Sequence, residues 1–434
     1  MNPTFLAILI FLLVYAAITF ELVNKAVAAM LGVMTLIMLG VVNEHEAAGF
    51  IDFETILLLL GMMTIVVVLR HTGFFTIISV KIAEFTRGSP LKILILFSIV
   101  TAVMSAFLDN VTTVLIIVPI IIELTQGMGL NPKLYVISQA IISNIGGTAT
   151  LIGDPPNIII GSKVGLTFNQ FLVNLSLPVL LSFGAALLYI WFTNKQKFEP
   201  INTNLAKLFS VQLLLEKIRY QYLDTAIDPL FLGKGLFCLG LTILLFVTQT
   251  ITGISPGIAA VFGAMLLMVI SKVDVENVLE EVEWGTLLFF AGLFILVGTL
   301  EEKGIIEWIA RNVFLKVGDN PYVLVLVVLW VSGIVSGFLD NIPFTITMIP
   351  IVEFMLQSTP IPNNILWWAL ALGACFGGNI TIIGASANIV SIGMAKKFKQ
   401  DISFLEFMKT GLIISLITLS VASIYLVLYL WMSL

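Results

Sequence analysis

Charge is scarce in this chain: Asp, Glu, Lys and Arg make up 11% of its 434 residues, against roughly 25% in a soluble globular protein. That shortage excludes a soluble fold. The net charge of −5 is too small to imply a charged partner, and the absence of a basic run argues against nucleic acid. Cysteine is nearly missing too, and both examples, Cys238 and Cys375, lie in apolar blocks, where packing is expected rather than a disulfide. The two histidines, His45 and His71, lack metal-ligand spacing, so no metal site is expected from them. No GxxxxGK[ST] occurs, so uphill movement of a solute must draw on an ion gradient. No polar stretch is long enough for a separate soluble domain. The first block, Asn2 to Phe20, has neither a basic leader nor a cleavage site and reads as a retained helix.

What the chain has in abundance is apolar sequence. Residues are 59% hydrophobic with a mean hydropathy of +1.09, and blocks of about 20 residues, enough to cross a bilayer, recur from end to end. The expected class is an all-α polytopic membrane protein. Trp191 and the Trp367-Trp368 pair read as anchors at the membrane interface.

Within this background, FLDNVTTVLIIVPI (107–120) places Asp109 and Asn110 in a run otherwise suited to a membrane interior. A charge at the centre of a bilayer costs about 2.5–3.5 kcal/mol on insertion scales, so its presence points to function. The stretch has a twin, FLDNIPFTITMIPI (338–351), and Asp109 and Asp340 are 231 residues apart (340 less 109). The same offset relates Gly61 to Gly292, Ser105 to Ser336, Gly146-Gly147 to Gly377-Gly378, Thr150 to Thr381, Gly153 to Gly384 and Asn157 to Asn388. Coincidental apolar similarity would not hold aspartates, asparagines and glycines in one register. The chain is a tandem duplication.

The halves are read as residues 1–194 and 233–434, joined by a basic, cytoplasmic linker over 195–232. The loop with Arg70, Lys81, Arg87 and Lys92 and the cluster Lys396-Lys397-Lys399 are also placed inside, and the acidic Asn43–Glu54 loop outside. Residues 91–126 then form a hairpin entering and leaving from the cytoplasm, with crossings near 3–20, 25–43, 54–70, 133–165 and 174–194. Five crossings per half invert the second half, whose hairpin near 321–358 enters from outside. Two inverted repeats, each with a re-entrant hairpin and a broken helix, are the expected architecture. Residues 91–165 and 321–395 are the expected transport elements, the rest scaffold.

Each half interrupts its apolar pattern twice. The hairpin tips carry Asp109, Asn110, Thr112 and Thr113 in one half and Asp340, Asn341 and Thr345 in the other. The breaks are SNIGGTATLIGDPPN (143–157), with Asn144, Gly146, Gly147, Thr148, Thr150, Asp154 and Asn157, and GGNITIIGASAN (377–388), with Gly377, Gly378, Asn379, Thr381, Ser386 and Asn388. Paired glycines favour unwinding, and Pro155-Pro156 removes two backbone donors in succession. Such breaks are tolerated where they line a cavity rather than face lipid. Glycines of this kind also serve helix packing. Freed carbonyls, amide and hydroxyl oxygens and a carboxylate make an oxygen-rich cage suited to a hard cation, whereas half-helix N-termini suit an anion. Asp109 foremost, and Asp340 with it, are the candidate proton- or ion-binding groups, and Asp154, whose counterpart Ala385 breaks the symmetry, is a third. No Lys or Arg lies within either hairpin core or either break, so a structural ion pair for the tip acids is not expected.

These motifs resemble the ion transporter superfamily, above all its ArsB/NhaD branch of arsenite permeases, Na+/H+ antiporters and the melanosomal P protein. SAFLDNVTT and NIGGTATLIGDPPNIII look like the P protein and DNIP like the antiporters. Related sodium–dicarboxylate symporters carry Ser-Asn-Thr at the tips where Asp109-Asn110-Val111 and Asp340-Asn341-Ile342 stand here. The resemblance, which spans essentially the whole chain, implies a homodimer with a moving transport domain. It also implies alternating access with Na+ and H+ as coupling ions, no other cofactor, and Na+ near Asp109, Asn110, Asp340 and Asn341. The expected function is Na+/H+ antiport or a transport coupled to those ions, in a prokaryotic plasma membrane. The alternative is efflux of arsenite, antimonite or another anion; a passive channel and an intramembrane aspartyl protease rank lower, and no catalytic residue is expected.

Overall fold

Ten helices of the first half set the plan of the molecule, a computed structural model describing residues 3–20, 22–86, 89–198, 228–314, 320–358, 361 and 364–433. They are α1 (Pro3–Thr19), α2 (Lys25–Met38), α3 (Glu44–Phe50), α4 (Phe53–His71), α5 (Phe74–Thr86), α6 (Pro90–Phe107), α7 (Asn110–Gly127), α8 (Pro132–Gly147), α9 (Pro155–Val164) and α10 (Phe168–Thr193). The second half repeats them as α11 (Pro229–Val247), α12 (Pro256–Ser271), α13 (Val275–Glu280), α14 (Trp284–Glu302) and α15 (Ile305–Ile309). It ends with α16 (Pro321–Phe338), α17 (Asn341–Ser358), α18 (Ile365–Gly377), α19 (Ser386–Lys397) and α20 (Phe404–Ser433). Seven of these, α12 to α17 and α19, begin at their counterpart's number plus 231, as Asn110 and Asn341 illustrate. Lys207, Lys217 and Arg219 of the linker, and Arg87, lie outside the described residues.

Local chemistry sets these boundaries. Pro90, Pro132, Pro229, Pro256 and Pro321 open helices at the position where a missing N–H costs nothing. Asn24, Asp52, Asn131, Ser255 and Asn320 cap helices with their side chains. Thr167 and Gln170 form a capping box that starts α10 at Phe168, ahead of the expected crossing. Among the described residues, eight helices are long and apolar enough to cross a membrane, and α1, α2, α12 and α18 are shorter apolar helices.

The halves interlock by exchange. Gly61 of α4 packs on the backbone of Ala260 in α12, and its counterpart Gly292 of α14 packs on Ala29 in α2. α9 likewise packs on α17, and α19 on α7. Each half thus offers the other the same contacts in return. Polar contacts tie the helix ends. Glu281 pairs with Arg70 and lies 2.7 Å from His71 Nε2; Lys133 pairs with Glu406 at 3.3 Å. Ser162 donates to Asp52 at 2.8 Å, while Glu54 accepts from Ser255 Oγ at 2.8 Å and Gly257 N at 2.6 Å. Burial raises the Glu281 carboxyl, but His71 and Arg70 outweigh it and hold the group below its ordinary value.

One expectation is corrected. Trp367 and Trp368 are buried, and Trp368 meets Phe171 edge-on at 5.1 Å, so the pair is core and not an interface anchor. Two adjacent tryptophans look alike in sequence at a helix start and at a membrane surface. Trp191 is exposed, with Lys195 Nζ 4.7 Å above its ring.

Candidate functional site

Both breaks are built the same way. α8 ends at Gly147, the chain runs without helix through Gly153, and α9 resumes at Pro155; in the other half α18 ends at Gly377 and α19 resumes at Ser386. The irregular backbone is held from within. Asn157 Nδ2 donates to the Thr148 and Thr150 carbonyls at 3.0 and 2.8 Å, and Asn388 Nδ2 to those of Gly378 and Thr381 at 2.8 and 2.9 Å. The Thr150 hydroxyl donates to Ala106 O and that of Thr381 to Gly337 O, pinning each break to the first arm of its own hairpin. Glycine is required because the strands of the break nearly touch: a Cβ on Gly147 would lie 2.5 Å from Gly153 O, and one on Gly378 2.8 Å from Gly384 O. Gly146 and Gly377 allow the same closeness to the backbones of Ala102 and Gly333.

The tips differ from one another. Asp109 is the N-cap of α7, with Oδ1 accepting from Thr112 N at 2.7 Å and Oδ2 from Thr112 Oγ1 at 2.5 Å. Asp340 accepts from Ile342 N at 3.1 Å and lies 3.8 Å from Lys25 Nζ. The expectation that neither tip acid has a basic partner is therefore corrected for Asp340. Its partner comes from the start of α2, a segment that inspection of the hairpin itself cannot reveal. Thr113 and Thr345 bond their hydroxyls one turn back, to Asp109 O and Asn341 O.

Between tips and breaks lies a buried amide cluster centred on Asp154. Its Oδ1 accepts from Asn110 Nδ2 at 3.2 Å and from Asn341 Nδ2 at 3.5 Å, so both tips reach one carboxylate. Asn144 accepts from Asn110 Nδ2 at 3.0 Å and donates to Asn379 Oδ1 at 2.8 Å and Asn388 Oδ1 at 3.0 Å. The Cys375 thiol lies 3.8 Å from Asn157 Oδ1. All these side chains are buried. Among the described residues, Asp154 Oδ2 and Asn379 Nδ2 have no hydrogen-bond partner. A buried carboxylate without a basic partner needs a proton or a bound cation. No group of three or more His, Cys, Asp or Glu side chains suited to a metal ion occurs among the described residues.

The structure thus joins Asn110, Asn144, Asp154, Asn157, Asn341, Asn379 and Asn388 in one cluster. It leaves Asp109, Thr112 and Thr113 at the cap of α7, and it places Asp340 and Ser386 in a neighbouring cavity of about 380 Å³ with Asn24 and Lys25. The sequence reading missed Lys25. It also missed a polar layer between α6 and α8, where Thr101 Oγ1 donates to Gln139 Oε1 at 2.7 Å and Gln139 Nε2 to Ser98 Oγ at 3.3 Å. The spacing of Ser98, Thr101 and Ser105 along one face of α6 was the available signal.

Residues 15–373 match the model of a citrate transporter family. A 46 kDa membrane protein of Mycobacterium leprae is 41% identical, and an uncharacterized transporter of Mycobacterium tuberculosis 39% identical, each over 97% of both chains. The human P protein is 34% identical over 95% of this chain and 58% of its own length. The crystal structure of the YdaH transporter of Alcanivorax borkumensis, described as having an unusual topology, aligns over 98% of both chains with a TM-score of 0.54. It is 14% identical, which makes the likeness one of fold.

Proposed function

This chain belongs to the citrate transporter family, within the broad ion-transporter superfamily, and we propose that it is a secondary active transporter in which Asp154 exchanges a proton for a cation, Na+ foremost. Membership makes it a multi-spanning transporter and not an enzyme. The cargo and the ArsB/NhaD affinity belong to the proposal. One observation carries it: Asp154 receives both tip asparagines on one oxygen in a buried amide cage, and among the described residues its other oxygen has no amide or hydroxyl partner, only the Cys375 thiol being near it. A proton or a cation completes that cage, and competition between them is the minimum needed for coupling. Asp109 and Asp340 lie beside the centre as further acidic groups.

Inverted repeats are supported by the contacts at helix ends. Within the first half, Asn24 caps the start of α2, whose 14 residues rise roughly 21 Å, and Glu54 follows its end across α3, so a crossing by α2 puts them on opposite faces. Yet Glu54 bonds Ser255, the counterpart of Asn24. A counterpart on the opposite face from Asn24 is what inversion requires. The pairs Arg70–Glu281, Lys133–Glu406 and Ser162–Asp52 each join groups that the inverted topology puts on one face. Two cavities, one at α9 with Glu54 and Ser255 and one at α19 with Lys25 and Asp340, fit access from alternate sides. We read α6–α7 and α16–α17 as re-entrant hairpins whose tips meet at mid-depth, and the homodimer as the working assembly.

A second reading, efflux of a neutral metalloid oxyacid, draws on the Cys375 thiol at the cluster. Reconstituted vesicles separate the two. Na+- or Li+-driven proton flux that Asp154→Asn abolishes supports exchange. Arsenite flux lost in Cys375→Ser, without cation-driven proton movement, replaces it with efflux.

A further inference from the structure

We propose that Lys25 is a tethered cation occupying, at Asp340, the seat that a transported ion would otherwise fill. This rests on the cation-coupled reading of the cluster and adds that the two tip carboxylates are not equivalent. One is paired by the chain itself, leaving Asp154 as the acid that takes the coupling ion.

The seat is built like a coordination shell. Lys25 Nζ lies 3.8 Å from Asp340 Oδ2, donates to Ser386 Oγ at 3.1 Å and stands 5.1 Å over the Phe289 ring. Carboxylate, hydroxyl and ring face are three partners that a small cation also takes. The placement runs against local preference. Lys25 is the first residue of α2, where the helix dipole disfavours a positive charge, so its partners and not its own helix hold it there. The seat is also asymmetric. The counterpart of Lys25 is Pro256, which has no charge to offer, and Asp109 makes no ion pair among the described residues. Tyr15 of α1 and Asp154, neither a cation, are further ionisable neighbours of Asp340.

Lys25 also couples bodies. It extends from α2, which packs on α1 and α14, to the tip of the second hairpin and the first turn of α19. A rearrangement that withdraws the tip from α2 must break the pair, and any ion that replaces Lys25 at Asp340 would travel with the tip.

The test uses the full chain purified in detergent, with thermal unfolding followed in NaCl and in choline chloride at equal ionic strength. Four forms are compared: wild type, Lys25→Gln, Lys25→Arg and Lys25→Gln/Asp340→Asn. Lys25→Gln should lower the midpoint in choline chloride and recover it in NaCl, or on acidification, by a larger shift than wild type shows. The double variant should recover without added cation and lose that extra response, and Lys25→Arg should stay close to wild type. In vesicles, the reversal potential of Lys25→Gln should report one additional monovalent cation per cycle. If Asp340→Asn rescues Lys25→Gln but neither Na+ nor protons do, the pair is structural and the proposal is overturned. A Lys25→Gln protein with the wild-type midpoint and cation response overturns it too. Failure of the Asp154 reading looks different: Asp154→Asn then leaves the wild-type cation response intact, while an extra seat opened in Lys25→Gln still stands.

Discussion

Asn110 and Asn341, related by the repeat, donate their side-chain amides to the same oxygen of Asp154, at 3.2 and 3.5 Å. Each is the first residue of the second arm of its hairpin, so Asp154 is where the two halves are joined across their tips. The carboxylate itself comes from only one half, because Ala385 stands at the matching place.

Loss of either amide should loosen this junction unequally. Asn110 also donates to Asn144, whereas Asn341 Nδ2 makes the longer contact with Asp154. Asn110→Ala should therefore cost more stability than Asn341→Ala, by about 1 kcal/mol, the worth of one hydrogen bond. Thermal unfolding of the two variants checks the order.

The breaks depend on Asn157 and Asn388, each holding two freed carbonyls. Replacing either by Ala leaves two buried acceptors unpartnered, at about 1–3 kcal/mol each. Both variants should unfold at lower temperature than wild type and lose transport in vesicles.

Close packing at the breaks gives a steric prediction. Gly147→Ala and Gly378→Ala push a methyl group into facing backbone, and overpacking of this kind costs about 1–3 kcal/mol. Gly240→Ala, in open space on α11, should leave stability and transport unchanged. Equal behaviour of the three variants would contradict the packing.

At the helix ends, Glu281 is held below its ordinary value, so its contribution is present above the unfolded carboxylate range and is lost as pH falls through the folded value. The site is more than a third exposed, and the contribution should be small, about 0–1 kcal/mol. Glu281→Gln should lower the unfolding midpoint slightly at neutral pH and have no effect in acid.

Much of this is legible in the sequence. The repeat survives in the sequence because Asp, Asn and Gly at one offset are too improbable on an apolar background to arise by chance. The same residues marked the tips and breaks, and proline and asparagine marked helix starts. Roles within the site were harder to read. Asp109 and Asp340 look identical in sequence, yet Asp109 turns both oxygens onto Thr112 while Asp340 meets Lys25 from 315 positions away (340 less 25). Long-range pairing of that kind leaves no local pattern. Asp154 stands out in sequence by its place in the first break and by its counterpart Ala385; that both tips bond it follows from packing, not spacing.

Proton release on cation binding tests the central claim most directly. Adding NaCl to wild-type protein in weakly buffered detergent should release protons, and the apparent Na+ affinity should weaken by up to about tenfold per pH unit on the acid side. Asp154→Asn should release none, while Asp109→Asn keeps the response. Undiminished proton release from Asp154→Asn would contradict the assignment of exchange to Asp154.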